Sequence, residues 1–344
     1  MGNTLCSISQ QDRFLQGKVD ALLTGSGIRR DAHLDYTCGI FDDDWNLLAT
    51  GSCFHNTIRC LAVAADHQGE GLLNEIVTHL SEVQLSRGNS RIFLYTKPQS
   101  AKFFLDLGYY EIARVQDLVF LENRRTGFSD WLTSLGLPKT GVSAAIVMNA
   151  NPFTRGHRHL VERAAAENDA VHLFLLSEEA GPIPFAVRKQ LVARGIEDLK
   201  NVILHESGPY IISAATFPSY FLRDDDAAIR AHASLDLAIF SRIANALSIT
   251  RRYVGEEPKS RVTSLYNERM QSLLPACGVE CIVLPRLTDG GQIISASTVR
   301  QAIHDGRLDD VAAFLPASTL DFFRSPEAAP VIAAIRAERD VIHY

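Results

Sequence analysis

Apolar residues along this chain follow two rhythms. In residues 10–122 short β-type runs dominate. The runs 36-YTCGIF-41 and 47-LLATGSCF-54 flank Asp42-Asp43-Asp44, which predicts a hairpin. The run 58-IRCLAVA-64 predicts a strand buried on both faces. In 66-DHQGEGLLNEIVTHLSEV-83 a polar, glycine-rich loop leads into Leu72, Leu73, Ile76, Val77 and Leu80, which keep helical spacing. A strand over 91–95, a helix over 99–107 and a strand over 109–113 follow, with Gly108 placed to end the helix. Residues 123–140 change character: polar, Gly- and Pro-containing stretches bracket a short amphipathic piece, 128–135, as at a domain boundary.

Beyond residue 141 strands and helices alternate. Strands are predicted over 144–148, 171–176, 202–205, 250–254 and 280–284. Helices are predicted over 156–168, 185–198, 227–247, 265–274 and 297–304. This order predicts a Rossmann-like, doubly wound parallel sheet, whose ligands bind at the carboxyl ends of the strands. A last helix is predicted in 325–344, carried by Val331, Ile332, Ile335 and Ala337.

Length supports this division. A chain of 344 residues is long enough for two domains, 1–122 and 141–344, joined by the linker 123–140. A net charge of −6 argues against a general nucleic-acid binder and against anionic membranes. No apolar run is long enough to span a bilayer, and the N-terminus has no secretory apolar region. The six cysteines form no C-x-x-C pair and have no histidine at zinc-ligand spacing, so they read as reduced thiols of a cytoplasmic protein without a protein-held metal.

Two places carry candidate chemistry. The first is the glycine loop at 68–71, where a strand, a glycine turn and a helix N-terminus make an anion site. Alone, this is also an ordinary tight turn. With 93-FLYTKPQSAKFFLDLGYYEI-112 it resembles the Gcn5-related N-acetyltransferase (GNAT) family, which predicts a mixed α/β N-terminal domain. The resemblance implies that Gln68, Gly69 and Gly71 bind a coenzyme A-like arm. Leu73 stands where that family has Gly or Ala.

The second place is 149-NANPFTRGHRHL-160, at the end of the first strand of the second half. Pro152 ends the strand, Gly156 lets a ligand approach the backbone, Thr154 adds a hydroxyl, and His157 lies in the first helical turn. Alone, this is also a capped helix with a surface histidine. Later, 294-ISASTVR-300 repeats the arrangement: Ser295 and Ser297 can donate to phosphate oxygens, Ser297 can cap a helix, and Arg300 can form a bidentate contact; alone, this is also an ordinary serine cap followed by a solvated arginine. T-x-G-H followed by I-S-x-S/T-x-x-R resembles the nucleotidyltransferase superfamily. The resemblance implies catalytic roles for His157, Thr154 and Arg300, and ATP contacts at Asn149, Asn151, Phe153, Gly156, Ser295 and Ser297. The segment 184-PFAVR-188 resembles the F-x-x-x-R helix start of pantetheine adenylyltransferases, which adds Arg188. The lysine those enzymes carry upstream is absent from 177-SEEAG-181, leaving Lys259 or Arg261 as a second cation.

A GNAT-like domain fused to a T-x-G-H domain, with 209-PYIISAATFPSYFLRDDD-226 and 253-YVGEEP-258, resembles the citrate lyase ligase family from about residue 10 to about residue 325. The resemblance implies an acid–thiol ligase using ATP with Mg²⁺ and acetate. It would acetylate the dephospho-coenzyme A-type prosthetic group on the acyl-carrier subunit of citrate lyase, releasing AMP and pyrophosphate. Three alternatives stay open: the equivalent ligase of malonate decarboxylase, a nucleotide or pantetheine adenylyltransferase, and a non-catalytic sensor.

Overall fold

The structure is a computed structural model that describes residues 2–179, 181–211, 217, 225–256 and 261–338. It divides into two compact units: Met1–Trp131 with Pro218–Ala238, and Leu132–Phe217 with Ile239–Tyr344. The segments 209–226 and 253–258 fall partly outside the described residues, and Lys259 wholly so.

The first unit is mixed α/β. Its elements run β1 (Thr4–Ser7), α1 (Arg13–Gly25), β2 (Tyr36–Phe41), β3 (Leu47–Phe54), β4 (Thr57–Val63), α2 (Leu72–Ser86), β5 (Phe93–Thr96), α3 (Ala101–Asp106), β6 (Tyr110–Arg114) and β7 (Val119–Glu122). The seven strands form one sheet in the order β1-β2-β3-β4-β5-β7-β6. Only β4 and β5 pair in parallel, through Thr57 with Phe93 and Ile58 with Leu94. Each face of the sheet is covered. Helix α2 lays Leu72, Ile76, Val77 and Leu80 against Cys38, Ile40, Ala49 and Leu94. Helix α1 lays Val19 and Leu23 against Ile8, Phe41, Cys60 and Ala62. Gly51 in β3 permits the first contact, because a Cβ there would come within 2.6 Å of Ile76 and 2.8 Å of Leu80.

The expected hairpin is β2–β3, with the bounds read from the sequence. The helix expected over 99–107 begins instead as a 3₁₀ turn at Pro98–Ser100 and becomes α-helical at Ala101. It ends as expected: Gly108 takes φ 84° and the Tyr109 N–H returns to the Phe104 carbonyl at 3.0 Å. Within this unit, β1, α1 and β7 have no counterpart among the elements expected from the sequence. Helix α4 (Gly127–Ser134) follows β7, and buried Glu122 serves its start by accepting the Phe128 N–H at 2.7 Å.

The second unit contains β8 (Ser143–Met148), α5 (Arg155–Glu167), β9 (Ala170–Leu175), α6 (Phe185–Gly195), β10 (Val202–Glu206), α7 (Asp225–Leu247, assigned to this unit from Ile239), β11 (Ile249–Gly255), α8 (Arg261–Leu273), β12 (Glu280–Leu284), α9 (Ala296–His304), α10 (Ala317–Arg324) and α11 (Ala329–Ala337). Its sheet has the order β10-β9-β8-β11-β12 and is parallel throughout. This is the expected Rossmann-like arrangement. Sequence order runs outward in both directions from β8, so the topological switch point lies between β8 and β11. Ile146, Phe153, Val161, Leu173, Val192, Ile294 and Val299 share one core, which α11 closes with Val331 and Ile335. The last helix is therefore shorter than the tail in which it was predicted, and residues 339–344 lie outside the described residues.

Candidate functional site

The carboxyl end of β8 lies beside that switch point, and the chain leaves it through a constrained turn. Ala150 takes φ 51°, and the Asn151–Pro152 peptide is cis. Phe153 then turns fully inward, packing so closely on α6 that a Cβ on Gly195 would lie 2.5 Å from its ring. Its side chain thus belongs to the core, and its carbonyl accepts the Thr319 hydroxyl at 2.9 Å.

Thr154 is the N-cap of α5 and forms a capping box with His157. The His157 N–H donates to Thr154 Oγ1 at 3.4 Å, and the Thr154 N–H donates to His157 Nδ1 at 3.1 Å. That second bond settles the tautomer. An atom accepting a backbone N–H carries no proton, so the neutral ring holds its proton on Nε2 and presents a donor there. Burial, and after it the nearby Arg286 guanidinium, push the His157 pKa down to about 4. At neutral pH this residue is therefore an uncharged N–H donor. The ring stacks parallel on Phe153 with centroids 6.0 Å apart.

Gly156 has a second use. A Cβ there would sit 3.3 Å from the Ile294 carbonyl oxygen, so its missing side chain lets the 294–300 segment approach α5. The sequence assigned this closeness to a ligand; in the structure the nearest occupant is backbone. The two segments meet again where buried Arg300 donates from Nη1 to the Asn151 carbonyl at 2.6 Å. Ser295, rather than Ser297, caps α9, accepting the Thr298 N–H at 3.1 Å, because the helix starts at Ala296. Ser297 Oγ lies 3.0 Å from Ser295 Oγ and is half-buried at the same helix start.

Arg188 lies 1% exposed in the first turn of α6. It donates to the carbonyls of Ile183, Asn149, Leu176 and Glu178 and to Asn149 Oδ1. The sequence offers it as a phosphate or substrate contact or as a surface residue; it is buried, and its hydrogen bonds run to the ends of β8 and β9 and to the loop that follows β9. Asn151 is 4% exposed, its Oδ1 is buried without a hydrogen-bond partner among the described residues, and its amide nitrogen lies against Gly181.

Arg286 was missed by the sequence reading. It follows β12, and its Nε donates to the Glu256 carbonyl past β11 at 2.7 Å. The next residue, Leu287, accepts the Ile294 N–H at 3.0 Å, which ties this stretch to the segment that meets Gly156. The only signal available was an arginine just ahead of ISASTVR. Of the cations expected instead, Lys259 and the Arg261 side chain lie outside the described residues.

The donors collected here suit an anion. They are His157 Nε2–H, the N–H groups at the start of α5 that have no partner among the described residues, the Ser297 hydroxyl and the Arg286 cation. No group of three or more His, Cys, Asp or Glu among the described residues could hold a metal ion. No helix among them is long and apolar enough to cross a membrane.

In the first unit the 68–71 loop precedes α2. Gly69 and Gly71 take φ 88° and 82°, and both face open space. Beside it Leu5, Asn74, Glu75, Thr78, His79 and Glu82 line a groove along α2. The Tyr36 hydroxyl lies 2.7 Å from His79 Nε2.

Comparison with known proteins adds a family. Residues 143–323 match the citrate lyase ligase C-terminal domain. Citrate (pro-3S)-lyase ligase of Klebsiella pneumoniae is 40% identical over 80% of this chain and 83% of its own length. The proteins of that name from Haemophilus influenzae and Escherichia coli are 34% and 35% identical, over 89% and 86% of this chain and 94% and 87% of their own lengths. Among solved structures, an acetyltransferase of the GNAT family from Staphylococcus aureus is 11% identical with a TM-score of 0.31, covering 36% of this chain and 100% of that one. An aminoglycoside 6′-N-acetyltransferase complexed with coenzyme A is 13% identical with a TM-score of 0.31, covering 35% and 94%. With the T-x-G-H turn and the ISASTVR helix start meeting in one parallel-sheet unit, and with relatives of this identity spanning most of its length, the chain belongs to the citrate lyase ligase family.

Proposed function

We propose that this protein activates citrate lyase by joining acetate to the prosthetic-group thiol of its acyl-carrier subunit, using ATP with Mg²⁺. The observation that carries the reading is the double meeting of 149–157 with 294–300, at Gly156/Ile294 and at Asn151/Arg300, at the carboxyl end of β8.

In this reading an acetate oxygen attacks the α-phosphorus of ATP. The bond to the β-phosphate oxygen breaks, giving acetyl-adenylate and pyrophosphate. The carrier thiol then gives its proton to solvent, its sulfur bonds to the acetyl carbonyl carbon, and the bond from that carbon to the AMP phosphate oxygen breaks, releasing AMP. The chain's part is to position reactants and stabilise negative charge. His157 donates from Nε2 to an α-phosphate oxygen, with Thr154 holding the tautomer. The N–H groups of Arg155 and Gly156 face the same oxygens. Ser295 and Ser297 mark the start of α9 at which the departing phosphates bind, and Arg286 offsets their charge. Arg300 acts through Asn151, whose turn it secures. Mg²⁺, carried on the triphosphate rather than on protein ligands, would neutralise part of its charge.

The first unit takes the coenzyme A-like arm through Gln68, Gly69 and Gly71. The motivation is a glycine loop with two positive-φ positions opening onto a helix N-terminus. ATP, Mg²⁺, acetate and reduced carrier protein should yield AMP and a carrier heavier by one acetyl group. Equal activity on the carrier of malonate decarboxylase would move the assignment to that partner. A dinucleotide product without acetate would move it to an adenylyltransferase.

A further inference from the structure

We propose that Arg188 acts as a positioning residue: it locks the Asn149 side chain so that the Asn149 amide nitrogen becomes a fixed donor to an anionic oxygen of the reactants. The inference rests on the functional reading above for the identity of that anion. Asn149 is the first residue past β8, at the switch point of the sheet, and its side chain is half-buried. Its Oδ1 accepts from Arg188 Nη1 at 3.0 Å, and its own carbonyl accepts from the same nitrogen at 2.8 Å.

The chemistry of arginine makes this contact directional. A guanidinium only donates, so the amide atom facing it must be the oxygen, and the amide NH₂ must take the other side. That nitrogen has no hydrogen-bond partner among the described residues. Arg188 is itself held, since its remaining contacts run to the Leu176, Glu178 and Ile183 carbonyls. It is 1% exposed, so its own reach to a ligand is poor. A planar fork bound to four carbonyls fixes Asn149 without a separate entropic cost when substrate arrives, and lysine cannot reproduce it. The NH₂ group suits an anionic oxygen, either of the nucleotide α-phosphate or of the acid substrate.

The test uses the full chain and the variants Asn149→Ala, Asn149→Asp and Arg188→Lys. Two readouts are needed: KM and kcat of acetate-dependent ATP–pyrophosphate exchange, and calorimetric binding of α,β-methylene-ATP. Asn149→Asp keeps an acceptor for Arg188 and loses the donor, so it should fold with an unchanged unfolding midpoint. The loss of a hydrogen bond to a charged group predicts a rise of roughly 10-fold or more in one KM. A rise for ATP with weakened analogue binding names the phosphate; a rise for acetate alone names the acid. In the Arg188→Lys background Asn149→Ala should have no further effect on that KM, because the donor is already unfixed. Unchanged KM values in Asn149→Asp overturn the proposal. So do effects of Arg188→Lys and Asn149→Ala that add, since they would mean that Arg188 binds substrate itself. If no acetate-dependent exchange exists in the parent protein, the functional reading fails, and analogue binding still decides whether the pair acts on a nucleotide.

Discussion

At the scale of single residues, the site depends on which atom carries a proton. His157 Nδ1 is occupied by the Thr154 N–H, so only Nε2 donates. With a pKa of about 4 the ring stays neutral through the physiological range. Exchange activity should therefore show no inflection near pH 6.5 from this residue. A rate that rises as pH falls through 6.5 would mean that the charged imidazolium is the working donor, contrary to this geometry. Gly156 gives a second residue-scale prediction. Gly156→Ala puts a methyl group 3.3 Å from a backbone oxygen of Ile294, which must give way. We expect destabilisation of about 1–2 kcal/mol, read from urea unfolding, and a lower exchange rate. A variant as stable and as active as the parent would show that the two segments need not touch. The sequence singles out His157, Thr154 and Arg300 because each stands in a spaced motif. It does not show the contacts of Arg188, whose partners are mostly backbone carbonyls, nor single out Arg286, which no motif contains.

Elements were legible where periodicity reported burial. Strands β2 and β3 lie between turn signals, and α2 carries four buried apolar residues at helical spacing. Among the elements not read, β7 is four buried residues without alternation, and α10 buries Phe322 and Phe323 side by side; α1 does carry Leu15, Val19, Leu22 and Leu23 at helical spacing, but Gly17 interrupts the run. One buried polar contact between elements also escaped notice. In neighbouring strands β9 and β10, His172 Nδ1 lies 2.9 Å from His205 Nε2, with the rings stacked. Both are buried, and burial pushes each pKa down to about 4. The folded state thus disfavours protons that the unfolded chain accepts near pH 6.5. Stability from the pair is fully present above pH 6.5 and is lost as pH falls towards 4. The loss should be about 1.4 kcal/mol per pH unit for each histidine that stays neutral. Urea unfolding at pH 7, 6 and 5 should show this slope, reduced in a His172→Gln/His205→Gln variant. An identical slope in that variant would remove the pair from the account.

At the scale of the whole molecule, the proposed reaction falls into two parts: acid activation in the parallel-sheet unit and arm binding in the mixed-sheet unit. Gly69→Ala and Gly71→Ala place a Cβ at φ 88° and 82°, distorting only the 68–71 loop. They should raise the KM for carrier protein several-fold and leave acetate-dependent exchange untouched. Equal damage to exchange would contradict the division. In the proposed reaction the turn at 149–157 and the helix start at 294–300 together bind ATP for attack by acetate. ATP–pyrophosphate exchange without carrier protein isolates this step. Exchange should require acetate and should fall roughly 10²–10³-fold in a His157→Ala protein with an unchanged unfolding profile. Exchange that ignores acetate, or that survives undiminished in that variant, would rule out ATP binding for acetate attack at this turn.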